Sequence, residues 1–307
     1  MGRYVIRRLL QMIPVFIGAT LLIFLMVNVM GDPVAGLCGD RACDPATAAQ
    51  LRSEFGLDKP VWQQYLTYMG NVFTGDFGTA FNGEKVTDLM GSAFPVTIRL
   101  TIVAIIFEVI IGIAFGVITG LKRGHPVDSS VLLLTLVVIS VPTFVTGLLA
   151  QLLFGVQWGL IKPAVSPAAP FNELILPGLV LASVSLAYVT RLTRTSIAEN
   201  RRADYVRTAT AKGLRKRRII VRHLLRNSLI PVVTFIGTDI GALMGGAIVT
   251  ERIFNIHGVG YQLYQGIVRQ NSQTVVGFVT VLVIVFLVAN LIVDLLYAVL
   301  DPRIRYA

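Results

Sequence analysis

Three acidic residues lie inside long apolar stretches of the chain: Glu108, Asp239 and Asp294. A charged carboxylate in hydrocarbon is unfavourable, so acids in such places are candidates for a substrate or gating role by default. Glu108 lies one helical turn before Gly112 and shares its face, and Asp294 lies near the end of its run, one turn beyond Asn290. For these two, a partnered polar residue that stabilises helix packing is the preferred interpretation. Asp239 is the strongest candidate to line a cavity.

Other catalytic chemistry is missing from the sequence. There is no HExxH or CxxC motif, and the histidines, His125, His223 and His257, are far apart. We therefore predict no metal site and no catalytic residue. The stretch "GNVFTGD" has the glycine spacing of a phosphate-binding loop, but Asp76 stands where the essential Lys would be. The chain is predicted to bind no cofactor of its own. If it takes part in energised transport, the energy comes from another polypeptide or from an ion gradient.

The composition is that of an integral membrane protein. Of the 307 residues, 54% are hydrophobic and 14% are charged, whereas soluble domains carry about 25% charged residues. Apolar runs near the length of a bilayer predict six transmembrane helices and an all-α fold. The predicted spans are 9–30, 96–120, 131–156, 174–190, 229–249 and 275–299.

The distribution of basic residues predicts the orientation. With the N-terminus in the cytoplasm, 19 of the 27 Lys and Arg lie inside, 12 of them in the loop 191–228. This positive-inside pattern predicts a multi-pass membrane protein with both termini in the cytoplasm. The net charge of +10 therefore records topology and needs no nucleic acid partner; membrane lipid is the expected contact.

The outer segment 31–95 mixes polar and apolar residues at helical spacing, and it predicts two or three short amphipathic helices. Cys38 and Cys43, the only cysteines, lie in it. A local disulfide is expected outside the membrane, with two free thiols as the alternative.

Two spans carry glycines at every fourth position, which lets helices approach closely in lipid. Ordinary helix packing is the preferred interpretation, and a sliding or pore-side contact is the alternative. The glycines are Gly112, Gly116 and Gly120 in the second span and Gly237, Gly241 and Gly245 in the fifth.

The most basic segment, "YVRTATAKGLRKRRIIVRHLLRNSLIP", contains no acid. Ala209 and Gly213 lie one turn apart, and together they predict a flat, small-residue face that fits a groove on another protein. The run after Gly213 has apolar residues between its basic ones. It predicts an amphipathic helix lying on the anionic inner leaflet, with Ile219, Ile220, Leu224 and Leu225 on its apolar side.

Two stretches of this segment, "DYVRTATAKGL" (204–214) and "RHLLRNSLIP" (222–231), resemble the cytoplasmic EAA loop of ABC importer permeases. The version is that of the dipeptide, oligopeptide and nickel permease family, and the N-terminus is similar to the first permease subunit of such systems. Further similarity lies in "LRSEFGLDKPVWQQYL", "GDFGTAF", "GGAIVTERIFNIHGVG" (245–260) and "LLYAVLDPRIR" (295–305), so that the resemblance covers nearly the whole chain.

Three positions depart from the family pattern. The Glu-Ala-Ala positions are Arg207, Thr208 and Ala209, the later Leu-Pro is Leu225-Arg226, and "RQNSQTVVG" (269–277) lacks the usual acid and proline. None of these departures removes the residues that carry the resemblance.

The resemblance implies a type I ABC importer fold, in a multi-pass protein of the bacterial cytoplasmic (inner) membrane. Its domains would be 1–30, with the first helix wrapping a partner permease; the outer region 31–95; a core 96–300; and a tail 301–307. Its partners would be a second homologous permease, two ATPase subunits or domains that bind ATP and Mg, and an extracytoplasmic binding protein. The coupling residues would be Ala209, Ala211, Lys212, Gly213, Leu214 and Arg215, and the possible translocation path would include Asp239 and Glu108.

Short peptides are the cargo that the resemblance favours. Nickel, haem or glutathione are alternatives within the family, and an ion-coupled carrier is the alternative of another class. The absence of inverted repeats and the form of the 191–228 loop count against the carrier, and the lack of catalytic groups counts against a membrane enzyme.

Overall fold

A computed structural model describes residues 2–30, 44–54, 58–80 and 83–300. Within these ranges the chain is helical, and β structure is limited to one bridge between Thr79 and Lys85. The all-α prediction is confirmed. The helices are α1 Gly2–Met30, α2 Pro45–Glu54, α3 Val61–Thr74, α4 Val86–Phe107, α5 Ile113–Leu121, α6 Pro126–Ser140, α7 Thr143–Ala150, α8 Ile175–Asn200, α9 Asp204–Ala211, α10 Lys216–Arg218, α11 Arg226–Ser228, α12 Ile230–Ile253, α13 Val259–Val268 and α14 Ser272–Leu300.

In the described residues, five helical stretches are long and apolar enough to cross a membrane, and a bent pair makes a sixth. The five are Val5–Val27, Val86–Leu121, Ile175–Asn200, Ile230–Ile253 and Ser272–Leu295. They match five of the six predicted spans. Three π-helical turns, Glu108–Gly112, Gln151–Gln157 and Ile219–Leu225, interrupt or extend the helices.

The third predicted span, 131–156, is not one straight helix, because it falls on the bent pair. Helix α6 ends at Ser140, α7 starts at Thr143, and the two meet at an angle of 100°. Pro142 causes the break, because a residue before proline avoids the helical conformation; Val141 is extended, with ψ of 125°.

Helix α8 is longer than the fourth predicted span. It continues ten residues past the expected end at 190, to Asn200. The polar stretch "RLTRTSIAEN" ended the hydropathy signal, but it contains no proline or glycine to end the helix. About a quarter of the predicted 191–228 loop is therefore the end of a helix.

Five of the six spaced glycines lie against a neighbouring helix. A Cβ added to Gly116 would lie 2.4 Å from Thr193 of α8, and one added to Gly241 would lie 2.3 Å from Phe286 of α14. Gly112 and Gly120 contact α8 in the same way, and Gly237 contacts α14. Gly245 differs from the packing prediction, since no atom of the described chain lies within 4 Å of its Cβ position.

Helix α1 packs along α14 of the same chain. Arg8 forms an ion pair with Asp294 at 3.1 Å, so Asp294 has a charged partner on another helix, in agreement with its interpretation as a partnered residue in helix packing. On the outer side, Tyr68 of α3 donates a hydrogen bond to Thr280 of α14 at 2.6 Å. These contacts attach the first helix and the outer region to the core.

Cys38 and Cys43, and the tail 301–307, lie outside the described residues. The disulfide and the position of the tail stay predictions.

Candidate functional site

The segment 204–228 starts four residues after the end of α8. Its first helix, α9, turns Val206 and Ala209 inward, where both are buried. They pack with Ile197 of α8 and with Ile219 and Leu224 of the π-helical turn. This small apolar cluster attaches the segment to the C-terminal end of α8. The distribution of basic residues predicts that this end lies on the cytoplasmic side.

The predicted exposed face around Ala209 is wrong. Ala209 is only 5% exposed, and Leu214 is partly buried against the same cluster. A helix that lies against the protein buries one face and exposes the other. Alanine is small enough for either face, so its presence alone did not show which one Ala209 occupies. The residues that remain exposed are Thr208, Thr210, Ala211, Lys212, Gly213 and Arg215.

Gly213 ends α9 in the left-handed conformation, with φ of +72°. Its N–H donates to the carbonyl of Thr210 at 2.9 Å, and the N–H of Leu214 donates to that of Ala209 at 3.3 Å. No atom lies within 4 Å of a Cβ added at this position. Glycine adopts this conformation without steric cost, and the space around Gly213 is open to a partner.

The basic run after Gly213 does not present its apolar side to lipid as predicted. Ile219 and Leu224 are 8% and 2% exposed because they pack into the cluster with α8 and α9. The side chains of Lys216, Arg217 and Arg218 are exposed. The prediction failed because an amphipathic pattern does not distinguish a lipid surface from a protein surface.

Glu108 and Asp239 lie together within the helical core. Gly112, one turn after Glu108, contacts Leu186 and Val189 of α8, so Glu108 lies near the level of Ser185 on that helix, and Asp239 is near enough to act on its charge. Glu108 has no exposed surface and is the first residue of the π-helical turn between α4 and α5. Neither oxygen of Glu108, nor Oδ2 of Asp239, has a hydrogen-bond partner in the described chain.

An aromatic pair lies beside these acids. The rings of Tyr188 on α8 and Phe235 on α12 are 6.1 Å apart. Tyr188 follows Ser185 by three residues and Phe235 precedes Asp239 by four, so each pair shares one helix face. The facing sides of α8 and α12 thus carry a hydroxyl, a carboxylate and two rings.

Glu251, near the end of α12, lies at a second buried polar site. Its carboxylate accepts from the Thr97 hydroxyl at 2.5 Å and from the N–H of Tyr261 at 3.1 Å. The Thr97 oxygen accepts in turn from the N–H of Val259 at 2.8 Å. The carboxylate and the hydroxyl therefore bind N–H groups in the first turn of α13, which have no partner within their own helix.

No role was predicted from the sequence for Glu251, Ser185 or Tyr188. Glu251 lies just past the expected end of the fifth span, in "TERIFNIHGVG", where an acid followed by a glycine-flanked helix start could have indicated a cap. Ser185 and Tyr188 carry no local signal, since only the pairing of α8 with α12 gives them a role.

Comparison with known proteins supports one family for the whole chain. Residues 112–306 match the family described as "Binding-protein-dependent transport system inner membrane component". Residues 1–101 match the N-terminal family of the same membrane components.

Relatives with assigned names match over their full length. The dipeptide transport system permease protein DppB of Escherichia coli K12 is 38% identical, over 100% of this chain and 99% of its own. The di/tripeptide transport system permease protein DppB of Pseudomonas aeruginosa is 37% identical, over 99% and 98%. The glutathione transport system permease protein GsiC of Escherichia coli K12 is 36% identical over 100% of both chains. With a family match over more than half its length and relatives above 30% identity throughout, this multi-pass chain belongs to the inner membrane components of binding-protein-dependent transport systems.

Proposed function

We propose that this chain is the permease subunit of an ATP-driven importer that carries short peptides across the cytoplasmic membrane. The similarity of the whole chain to peptide permeases supports the cargo. A second homologous permease, two ATPase subunits or domains and an extracytoplasmic binding protein complete the complex. ATP and Mg bind to the ATPases and not to this chain, and both termini lie in the cytoplasm.

The exposed turn at Gly213 is the observation that carries the coupling mechanism. It is held at the end of α8 by a buried cluster, and it projects Ala211, Lys212 and Gly213 away from the chain. A rigid base with an open tip can enter a groove of an ATPase and transmit its movement. Ala209 and Leu214 hold the turn against α8 through the buried cluster.

Glutathione is a second candidate cargo, because the glutathione permease GsiC matches the chain over its full length. Glutathione is itself a small peptide, so the same type of path would serve both cargoes. Uptake of labelled dialanine and of labelled glutathione by the reconstituted complex separates the two.

The coupling role predicts a large effect of bulk at Gly213. In Gly213→Trp, the large side chain would fill the space that a partner needs and also strain the left-handed backbone, which costs about 1–2 kcal/mol. We expect the permease to insert and pair normally while dialanine uptake falls at least tenfold.

Gly213→Asn is the matched control, since asparagine tolerates the left-handed conformation and is much smaller; it should keep more uptake than Trp. Lys216→Ala, in the exposed basic run, should be close to wild type. The measurement is uptake per assembled complex in proteoliposomes, with ATPase binding followed in parallel. Normal uptake by Gly213→Trp would show that this turn is not the coupling element.

A further inference from the structure

Two carboxylates from different helices come near each other in the core, where the lipid bilayer surrounds the protein. Glu108 comes from the π-helical turn of the second span, and Asp239 comes from the middle of α12. A π-helical turn is rare and occurs often at functional sites. Gly112, one turn after Glu108, contacts Val189 of α8, and Phe235, one turn before Asp239, pairs with Tyr188 of α8. Both acids are therefore brought to the level of Ser185 on α8.

The described chain supplies no cation to these acids. Its ion pairs join Arg8 to Asp294, Lys162 to Glu173, Arg194 to Asp128 and Arg207 to Asp204. Glu108 is completely buried and both of its oxygens lack a donor. A buried carboxylate without a partner is strongly unfavourable in its charged form, and a positively charged ligand bound beside it would stabilise that form.

The rings next to the acids suit an ammonium group. The faces of aromatic side chains attract cations, and Tyr188 pairs with Phe235 one turn from Ser185 and Asp239. Carboxylates and aromatic faces are together the groups that bind an ammonium ion. Tyr188 is 48% exposed and Asp239 is half-buried, so the site is open from the side of α8 and α12.

The open side also has room for a passing solute. On α12, Ala242, Gly245 and Gly246 are exposed, and no atom of the described chain lies within 4 Å of a Cβ placed on Gly245. These small residues lie one to two turns from Asp239 on the same helix. A carboxylate facing lipid would be unfavourable, so this face fits a polar path between two permeases better than the membrane.

We propose that Glu108 and Asp239, with Tyr188 and Phe235, form a cation site on the translocation path that receives the ammonium group of the cargo. The inference rests on the proposed peptide cargo, because a peptide with a free N-terminus carries an ammonium group at neutral pH. Ser185 positions the Asp239 carboxylate.

The test separates charge from shape. Asp239→Asn and Glu108→Gln keep the shape and remove the charge, whereas Asp239→Glu and Glu108→Asp keep the charge and change the shape. In the complete reconstituted complex, we expect the two neutral variants to import labelled dialanine at least tenfold more slowly. The two charged variants should retain at least a third of wild-type import, and Thr238→Val, on the neighbouring exposed position, should match wild type.

A second readout ties the effect to the cargo. ATP hydrolysis in the absence of cargo should stay within twofold of wild type in both neutral variants. Import by the neutral variants at the wild-type rate would overturn the proposal, as would an equal loss of cargo-free ATP hydrolysis, because the acids would then serve packing or the conformational cycle. If the wild-type complex imports no dialanine at all, the proposed function itself fails, and this outcome is distinct from the others.

Discussion

Glu108 and Glu251 are both completely buried, yet their surroundings are opposite. Glu251 accepts hydrogen bonds from Thr97 and from the first turn of α13. Glu108 accepts none from the described chain and has another carboxylate, Asp239, as its neighbour. The same residue type with the same burial is therefore a joint between helices in one place and an unsatisfied site in the other.

The difference shows that burial alone does not identify a functional acid. A carboxylate that binds backbone N–H groups replaces the hydrogen bonds it loses from water, so its position is explained by the fold. A carboxylate without donors is not explained by the fold and needs a ligand or another subunit. Counting partners, and not exposure, separates these two glutamates.

The largest expected effect in this comparison is that of Glu251→Ala on stability. The change leaves the Thr97 hydroxyl and the Tyr261 N–H without an acceptor, at about 1–3 kcal/mol for each unsatisfied group. We expect a clear fall in the melting temperature of the purified permease in detergent. Glu251→Gln keeps the shape and one acceptor oxygen, so it should fall less. An unchanged melting temperature for Glu251→Ala would show that this network does not stabilise the fold.

A smaller effect is expected for Thr97→Val. Valine has the shape of threonine but removes the donor to Glu251 and the acceptor for the N–H of Val259. The N–H of Val259 is then left without an acceptor, at about 1–3 kcal/mol of unfolding free energy, whereas Glu251 keeps its bond from Tyr261. Thermal melting again measures the loss. Thr97→Ser, which keeps the hydroxyl, should recover most of it; equal melting of the Val and Ser variants would contradict the role of the hydroxyl.

The smallest effect on stability is expected for Glu108→Gln. No hydrogen bond from the described chain is lost, and an acid whose charged form is unfavourable at this position is replaced by a neutral amide of the same shape. The melting temperature should stay the same or rise, although import falls as proposed above. If Glu108→Gln destabilises the protein as much as Glu251→Gln does, the contrast between the two sites is wrong.

Much of the fold could be predicted from the sequence because apolar runs of bilayer length need little tertiary information. Five spans agree with that prediction. The break at Pro142 was missed because prolines are tolerated inside many membrane helices, so the sequence alone did not decide between a kink and a 100° bend. The extension of α8 to Asn200 was missed because hydropathy detects lipid contact and not helix length.

The sites were predictable only where the signal is local. A glycine after a short helix indicates a left-handed turn, and Gly213 has one. The inward position of Ala209 depends on where α8 and the π-helical turn lie. The role of Ser185 depends on the alignment of α8 with α12, two helices whose paired residues are about 50 positions apart in the sequence. No local pattern contains that alignment.

Helix α8 gives the molecule a mechanical property. It is one uninterrupted rod that bears Ser185 beside the acid pair and Ile197 in the cluster below Gly213, about 18 Å apart at 1.5 Å per residue. A tilt of the rod by about 5° moves one of these points about 1.6 Å relative to the other. The close glycine contacts hold α5 against α8, so a tilt of α8 would move α5 with it. One residue inserted between Ser185 and Ile197 would rotate one of these side chains by about 100° relative to the other. The helix would stay continuous, but Ser185 would no longer point toward the acids while Ile197 remains in its cluster.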